Sequence, residues 1–517
     1  MIPHVADPRA VPSAGPWWAG RWFVLACLLL VALPLLWPPL PPLIDLPSHL
    51  GTYHVALDLA TSPTLQRWFE FRWQLIGNLG VELLVVPLGK AVGVELATKL
   101  IVIGTVVLTA AGMMWIAHEI HGELPPTAAI ALPLVYSYPL HFGFLNYCLS
   151  MALLLPAFAL WLNLGRRGRI VPRAILFAAI APVVWVAHAV GWGILAVACA
   201  TAELQRRRAR GEPWGPALAR TAGACATLAV PLGVMACLQP HGSTAPGGWF
   251  VVPDLVKWIV TLFRDRWIAI DLATAALFFA ILAWAAAGRG GLRLRPALAV
   301  PALAVFSLFV FGPELVGHSD LVNVRIAPCA LALLALAITV DAGSERRRRA
   351  LALAASAFLV ARIAATTASL ALYSASWTSH LKALDHIEPG SRIVAFTSVP
   401  CRHDVDNWRA PRLYHLPSLA LVRKDAFTNT EWQFEGLQLL RVKYADARPF
   451  DGDPSQTVSL DCTVKGFRLY DASLASFPRA AFDYLWLQEI PPARWPADAG
   501  FEKVWADGDS VLYRIRH

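Results

Sequence analysis

From residue 22 to residue 373 the chain alternates long apolar runs with short polar gaps, and the runs follow one another too closely for a water-soluble core. Runs at 22–38, 97–117, 127–140, 143–163, 171–186, 189–204, 216–238, 271–288, 297–312, 326–341 and 350–373 predict about eleven spanning helices. Several are shorter than the roughly 20 residues of a perpendicular span. The short ones gather near 140–147 and 186–190, where broken helices can line a cavity instead of facing lipid. After residue 375 the apolar runs become short and strand-like, as in RIVAFTSV, DYLWLQEI and SVLYRIRH, with Pro, Gly and Asp turns between them. SWTSHLKALDHIEPGSRIVAF reads as a helix, a Pro-Gly turn and a strand, and FEKVWADGDSVLYRIRH as a closing hairpin with Asp-Gly at its turn. The pattern therefore predicts a polytopic α-helical membrane domain, 1–374, followed by a small α/β domain, 375–517.

Composition agrees. Hydrophobic residues make up 57% of 517 and charged residues 15%, against about 25% charged in soluble domains. The net charge of +9 raises the question of nucleic acid, but residues 375–517 carry −1, so the excess lies in the membrane part. There it falls in bursts, RRGR at 166–169, RRRAR at 206–210, RGGLRLR at 289–295 and RRRR at 346–349. Such bursts mark cytoplasmic loops and not a nucleic-acid surface. With the N-terminus inside, all four are cytoplasmic, while the opposite loops 239–270 and 313–325 hold only Lys257, Arg264, Arg266 and Arg325. An odd number of spans then puts the C-terminal domain outside. WFVLACLLLVALPLLW at 22–37 lacks a small-x-small cleavage site and reads as an uncleaved first helix.

The first outer loop, 39–96, opens with IDLPSHLGTYH after a Pro-rich exit from the membrane. Asp45 and His49, four residues apart, fall on one face of a short interfacial helix. Asp45 can be the cap of that helix or a reactive carboxylate. Further on, NLGVELLVVPLGKAVGVELA at 78–97 is interrupted by Glu82, Lys90 and Glu95, and reads as a helix on the membrane surface, not a span. His188 and Asn146 lie at the breaks between short spans, where each can face a cavity or satisfy helix-end backbone. His118 and His121, in HEIHGE, fall on the cytoplasmic side. Six cysteines sit in or beside spans; Cys401 and Cys462 share the outer domain and are candidates for one disulfide.

A first helix, a long outer loop opening with the acidic IDLPSHL, many spans and an outer C-terminal domain together resemble the GT-C superfamily of membrane glycosyltransferases. GFLNYCLSMALLLPAFALWLN at 143–163, WVAHAVGWGILAVACATAEL at 185–204 and NVRIAPCALALLAL at 323–336 look like segments of bacterial members. The resemblance implies an inner-membrane enzyme with a periplasmic C-terminal domain, moving a sugar from a polyprenyl-phosphate donor to a glycan or lipid acceptor in cell-envelope polysaccharide synthesis. Asp45 would then be the base of an inverting transfer. His49 would orient the acceptor or join a divalent metal, and Glu82 would hold a sugar hydroxyl. Arg325, and second to it Lys90, would neutralise the departing lipid phosphate, unless each is an ordinary snorkelling cation. Family members often carry a pair of acidic residues in this loop. Here Asp45 stands alone, so metal dependence stays open. In the outer domain, Trp408, Tyr414, Trp432 and Phe434 can stack on sugar rings or fill the core. Two other classes remain: a lipid-linked glycan transporter, and a non-catalytic assembly protein of the same fold.

Overall fold

The structure is a computed structural model and describes residues 15–237, 246–316, 320–341, 343–401, 407–434, 436–463 and 466–517. The expected N-terminal tail before residue 15, the last residue of the run 216–238, and parts of loops 239–270 and 313–325 lie outside the described residues. Six helical stretches are long and apolar enough to cross a membrane: Val94–His121, Leu145–Arg166, Ile170–Ala187, Trp214–Cys237, Ile268–Ala286 and Glu345–His386. Arg21–Leu36, Ala128–Phe142, Pro296–Phe311 and Ile326–Leu336 are apolar but shorter.

Two of the expected spans are irregular in form, for local reasons. Run 127–140 becomes a tight 3-10 stretch, Ala128–Tyr136, followed by the short helix Tyr138–Phe142. Every residue of Ala128–Tyr136 is buried, so its apolarity serves packing against neighbouring helices. Ala189–Ala209 is 21 residues long, yet its last turns carry Glu203 and Arg206 to Arg208, and its apolar part is too short. The segment 78–97 is not one helix: Gly80–Val92 ends at Gly93, and Val94–His121 begins there. Gly80–Val92 has 13 residues, fewer than the roughly 20 of a perpendicular span.

The bundle is organised around Val94–His121 and Leu145–Arg166. Gly112 lets them approach: a Cβ there would sit 2.7 Å from Leu155 and Pro156, the close contact that small residues permit between membrane helices. At the arginine-rich end, several of the burst arginines are paired. Arg166 reaches Glu119 at 2.5 Å, Arg206 reaches Glu203 at 2.6 Å and Arg348 reaches Glu123 at 2.6 Å.

At the opposite end stands the C-terminal region. Its sheet has the strand order 501–507, 510–515, 484–488, 392–399, 457–459, 468–469, with 427–428 also beside 392–399. The central pairings of 392–399 are parallel, and the C-terminal hairpin is antiparallel. The hairpin turn falls on Gly508 and Asp509, since Asp507 pairs with Ser510. Gly508 has a φ of +54°, the left-handed conformation a two-residue hairpin demands. The expected disulfide joins Cys401 to Cys462.

Two features tie this region to the membrane part. The helix Glu345–His380 runs without a break through residue 375. Phe69–Phe71 of the first loop pairs antiparallel with Leu440–Val442, and Val55, Leu65, Trp68 and Phe69 lie in the same hydrophobic core as Phe396, Phe427 and Leu485. The first loop is thus built into the C-terminal region.

Candidate functional site

A cavity of about 600 Å³ opens where the first loop, the broken ends of the helices and the C-terminal region meet. Asp45 enters it from the start of the helix Leu46–Asp58. The cap role is not taken up, because the Asp45 side chain makes no capping hydrogen bond. Its position is set by the backbone: Asp45 N–H donates to Phe142 O at 2.8 Å, and Ile44 N–H donates to His141 O at 3.2 Å. Gly143, with φ +91°, permits this approach, since a Cβ there would lie 3.1 Å from Asp45 N. His49, one turn on, lines the same cavity, as expected from the four-residue spacing.

The C-terminal region supplies the facing wall. Trp432 touches two imidazoles, 5.0 Å from the His49 ring and 4.7 Å from the His415 ring. His415 Nδ1 donates to Thr430 O at 3.0 Å. Its Nε2 lies 3.8 Å from Asp45 Oδ1 and 3.8 Å from Asp453 Oδ1. Burial raises the Asp45 carboxyl well above its ordinary value; Asp453 raises it further, and Arg325 opposes both. Burial lowers His415, against the pull of Asp453. Burial, helped by His415, takes His49 down to about 3, so that imidazole is neutral.

Arg325 and His188 form another side of the cavity. Arg325 Nη1 is 3.3 Å from His188 Nε2, and the guanidinium lies 4.3 Å above the Phe144 ring. Tyr147 donates to the Arg325 carbonyl. His188 also serves the backbone. After the helix Ile170–Ala187 ends, its Nδ1 accepts Val190 N–H at 3.2 Å and starts the next helix.

Asn146 reaches the cavity wall, but its amide is committed to backbone and to Glu82. It accepts Val81 N–H at 2.6 Å and donates to Asn78 O at 3.1 Å and Glu82 Oε2 at 2.9 Å. Glu82 is buried behind Asn146 and is not among the residues lining the cavity, so the expected hold on a sugar hydroxyl is not its position here. Burial pushes its carboxyl up to about 7, opposed by the Asn146 hydrogen bond. Lys90 is exposed near the far end of Gly80–Val92 and also does not line the cavity. His121 bonds Leu336 O at 2.9 Å, away from the cavity.

Of the aromatics singled out in the outer domain, Trp432 and Phe434 line the cavity. Trp408 is used elsewhere, donating to Asp271 Oδ2 at 2.8 Å. His415 and Asp453 escaped the sequence reading. They belong to no spaced motif, and Asp453, in DGDPS, looks like ordinary turn chemistry. Among the described residues no three His, Cys, Asp or Glu side chains are placed to hold one metal ion.

The arrangement offers a partly desolvated carboxylate, aromatic faces and a guanidinium around one space bounded by apolar residues such as Leu145, Val190, Val316 and Leu321. Such a space suits a ligand with a polar head and an apolar tail. Compared with known proteins, the chain matches no protein-family model and no curated protein.

Proposed function

We propose that the protein is an integral membrane glycosyltransferase that moves a sugar from a polyprenyl-phosphate donor to a glycan or lipid acceptor in the cell envelope. The single observation that carries this reading is the convergence of Asp45, Arg325 and the aromatic side chains of Trp432 and Phe434 on one cavity. The six membrane-length helices support the membrane assignment. Eleven spans, an N-terminus in the cytoplasm and a periplasmic C-terminal domain in a bacterial inner membrane are the topology this reading adopts. The arginine bursts, at the end away from the cavity, support it.

Each group has a part in the chemistry. Asp45 takes the proton from the acceptor hydroxyl as its oxygen bonds to the anomeric carbon. The bond from that carbon to the lipid phosphate breaks, and the electron pair leaves with the phosphate. Arg325 balances the added negative charge in a site shielded from water. Trp432 and Phe434 provide faces for the sugar ring, and His49, neutral beside Trp432, can donate or accept a hydrogen bond to a hydroxyl.

The test is Asp45→Asn, which keeps the shape of the side chain and removes the base. Cells carrying it at wild-type abundance in the membrane are expected to show the envelope glycan of cells lacking the protein. Unchanged glycan refutes the assignment.

A further inference from the structure

Asp45, His415 and Asp453 come from widely separated parts of the chain and meet around one nitrogen atom. A backbone carbonyl can only accept, so the 3.0 Å contact from His415 Nδ1 to Thr430 O places a proton on Nδ1. Nε2 is then the atom that faces Asp45 Oδ1 and Asp453 Oδ1, each at 3.8 Å. The ring is held in this pose by Thr430 and by the Trp432 ring, tilted against it at 4.7 Å. Were the ring neutral and both carboxylates ionised, three acceptors would face one another with no hydrogen among them. That arrangement is costly where the side chains are only 7%, 17% and 16% exposed. One proton common to the three removes the conflict. At 3.8 Å, a water set beside the line of centres can bond Nε2 and either carboxylate.

The three groups also differ in what lies beyond them. Asp45 lines the main cavity, whereas Asp453 lines both that cavity and a second, polar cleft of about 300 Å³, shared with Gln433, Asp451, Ser455 and Arg468. The set therefore runs from the proposed reaction space to an outer cleft.

We propose that Asp45, His415 and Asp453 share one proton, and that His415 is a positioning residue that shifts it from Asp45 toward Asp453 and the outer cleft, leaving Asp45 ionised. The inference rests on the reading of Asp45 as the base. In the balance of a turnover, the acceptor proton passes to Asp45, then to His415 Nε2, then to an Asp453 oxygen, and leaves as a proton on cleft water. No electrons are exchanged in these transfers. The titratable and charged groups facing the set are His49 from the first loop, Glu431 from the C-terminal region and Arg325 across the cavity.

The experiment uses the full chain, labelled with 15N-histidine in lipid nanodiscs, with His415→Gln identifying the His415 resonances by difference. Wild type, Asp45→Asn and Asp453→Asn are titrated from about pH 4 to pH 9, a window that spans the ordinary carboxylate and imidazole values. Each substitution removes one carboxyl group of the proton-sharing set, 3.8 Å from Nε2, and is expected to lower the His415 midpoint by about one unit or more. Asp453→Ser provides a second removal of the same charge if the amide variant misfolds. A His415 signal that stays put in either variant overturns the inference. So does line broadening of His415 by added Mn²⁺, which would mean the site takes a cation in place of a proton. Transfer kinetics separate this inference from the functional reading. With Asp453→Asn, Asp45 loses a like-charged neighbour and the acid limb of the rate profile moves to lower pH, which a purely packing role does not produce. Absence of transfer in wild type defeats the functional reading and leaves the coupled titration standing; transfer without coupled titration defeats the relay alone.

Discussion

Arg412 is the strongest single tie between the C-terminal region and the cavity wall. Its Nη2 donates to Asp265 Oδ1 at 2.9 Å and contacts His141 Nδ1 at 2.9 Å, and its Nη1 donates to the Pro42 carbonyl. The guanidinium lies 4.4 Å over the Tyr373 ring. Pro42 and His141 flank the backbone that places Asp45. Arg412→Met keeps the stem and removes the charge, leaving Asp265, itself only 3% exposed, without its closest partner. Breaking a buried pair on one side costs about 3–5 kcal/mol, and the lower bound applies because Arg362 also acts on Asp265. An unfolding entropy of about 2.1 cal/mol/K per residue, over 517 residues, converts about 3 kcal/mol into a fall of about 3 °C in the midpoint. The assay is thermal unfolding of the detergent-purified protein, read by retention of a monodisperse peak. Arg412→Met with Asp265→Asn removes both charges and is expected to recover at least half of the loss. A single variant within about 1 °C of wild type, or a double variant no better than the single, refutes the argument that this pair is coupled.

Other consequences are sharper in kind than in size. Burial pushes Glu431 up to about 8 from an ordinary 4.5, with Asp453 adding to the shift and hydrogen bonds from Ser418, Ser48 and Thr52 opposing it. The folded state thus keeps a proton that the unfolded chain loses, so stability is full below about 4.5 and falls as pH rises toward 8. Glu431→Gln, neutral throughout, should flatten that decline, and parallel slopes for variant and wild type would count against it. Replacing Cys401 and Cys462 with Ser opens a crosslink between residues 61 apart, worth about 4 kcal/mol by chain entropy; a melt insensitive both to that change and to reductant would contradict the bond. Gly143→Ala places a Cβ against Asp45 N at 3.1 Å in a left-handed backbone, a strain of about 1–3 kcal/mol. It should insert normally yet lose most transfer, and wild-type transfer would show that Asp45 is not so tightly placed.

Much of the architecture was legible because it depends on periodicity and length. The runs at 97–117, 143–163, 171–186, 216–238, 271–288 and 350–373 correspond to helices of membrane length. The C-terminal strands were legible from short β-branched and aromatic runs bounded by turns. What apolarity could not separate is a segment facing lipid from one buried among helices. Ala128–Tyr136, in the expected span 127–140, is a fully buried 3-10 stretch, because Pro133 and the prolines around it prevent a long regular helix. Ile326–Leu336 likewise stops early, and its continuation, Ile338–Val340, pairs as a strand with Leu292–Leu294.

The site was half legible, and the dividing line follows the range of the interactions. Asp45 and His49 could be paired from the sequence because one helical turn relates them. Arg325, His188 and Asn146 could be suspected because charge or polarity at a helix break demands a reason. His415, Asp453 and Trp432 reach the same cavity only through tertiary placement. That placement depends on the pairing of Phe69–Phe71 with Leu440–Val442 and on the packing of Trp68 and Phe69 against Phe427. No local signal carries such a contact, since any short apolar strand can pair with any other until the rest of the fold has closed. The first loop therefore acts in two ways at once: one side contributes Asp45 and His49, and the other is a structural part of the domain that contributes His415 and Asp453. A variant that loosens the Phe69–Phe71 strand should disturb the reactive groups on both walls together, even though none of its atoms lines the cavity.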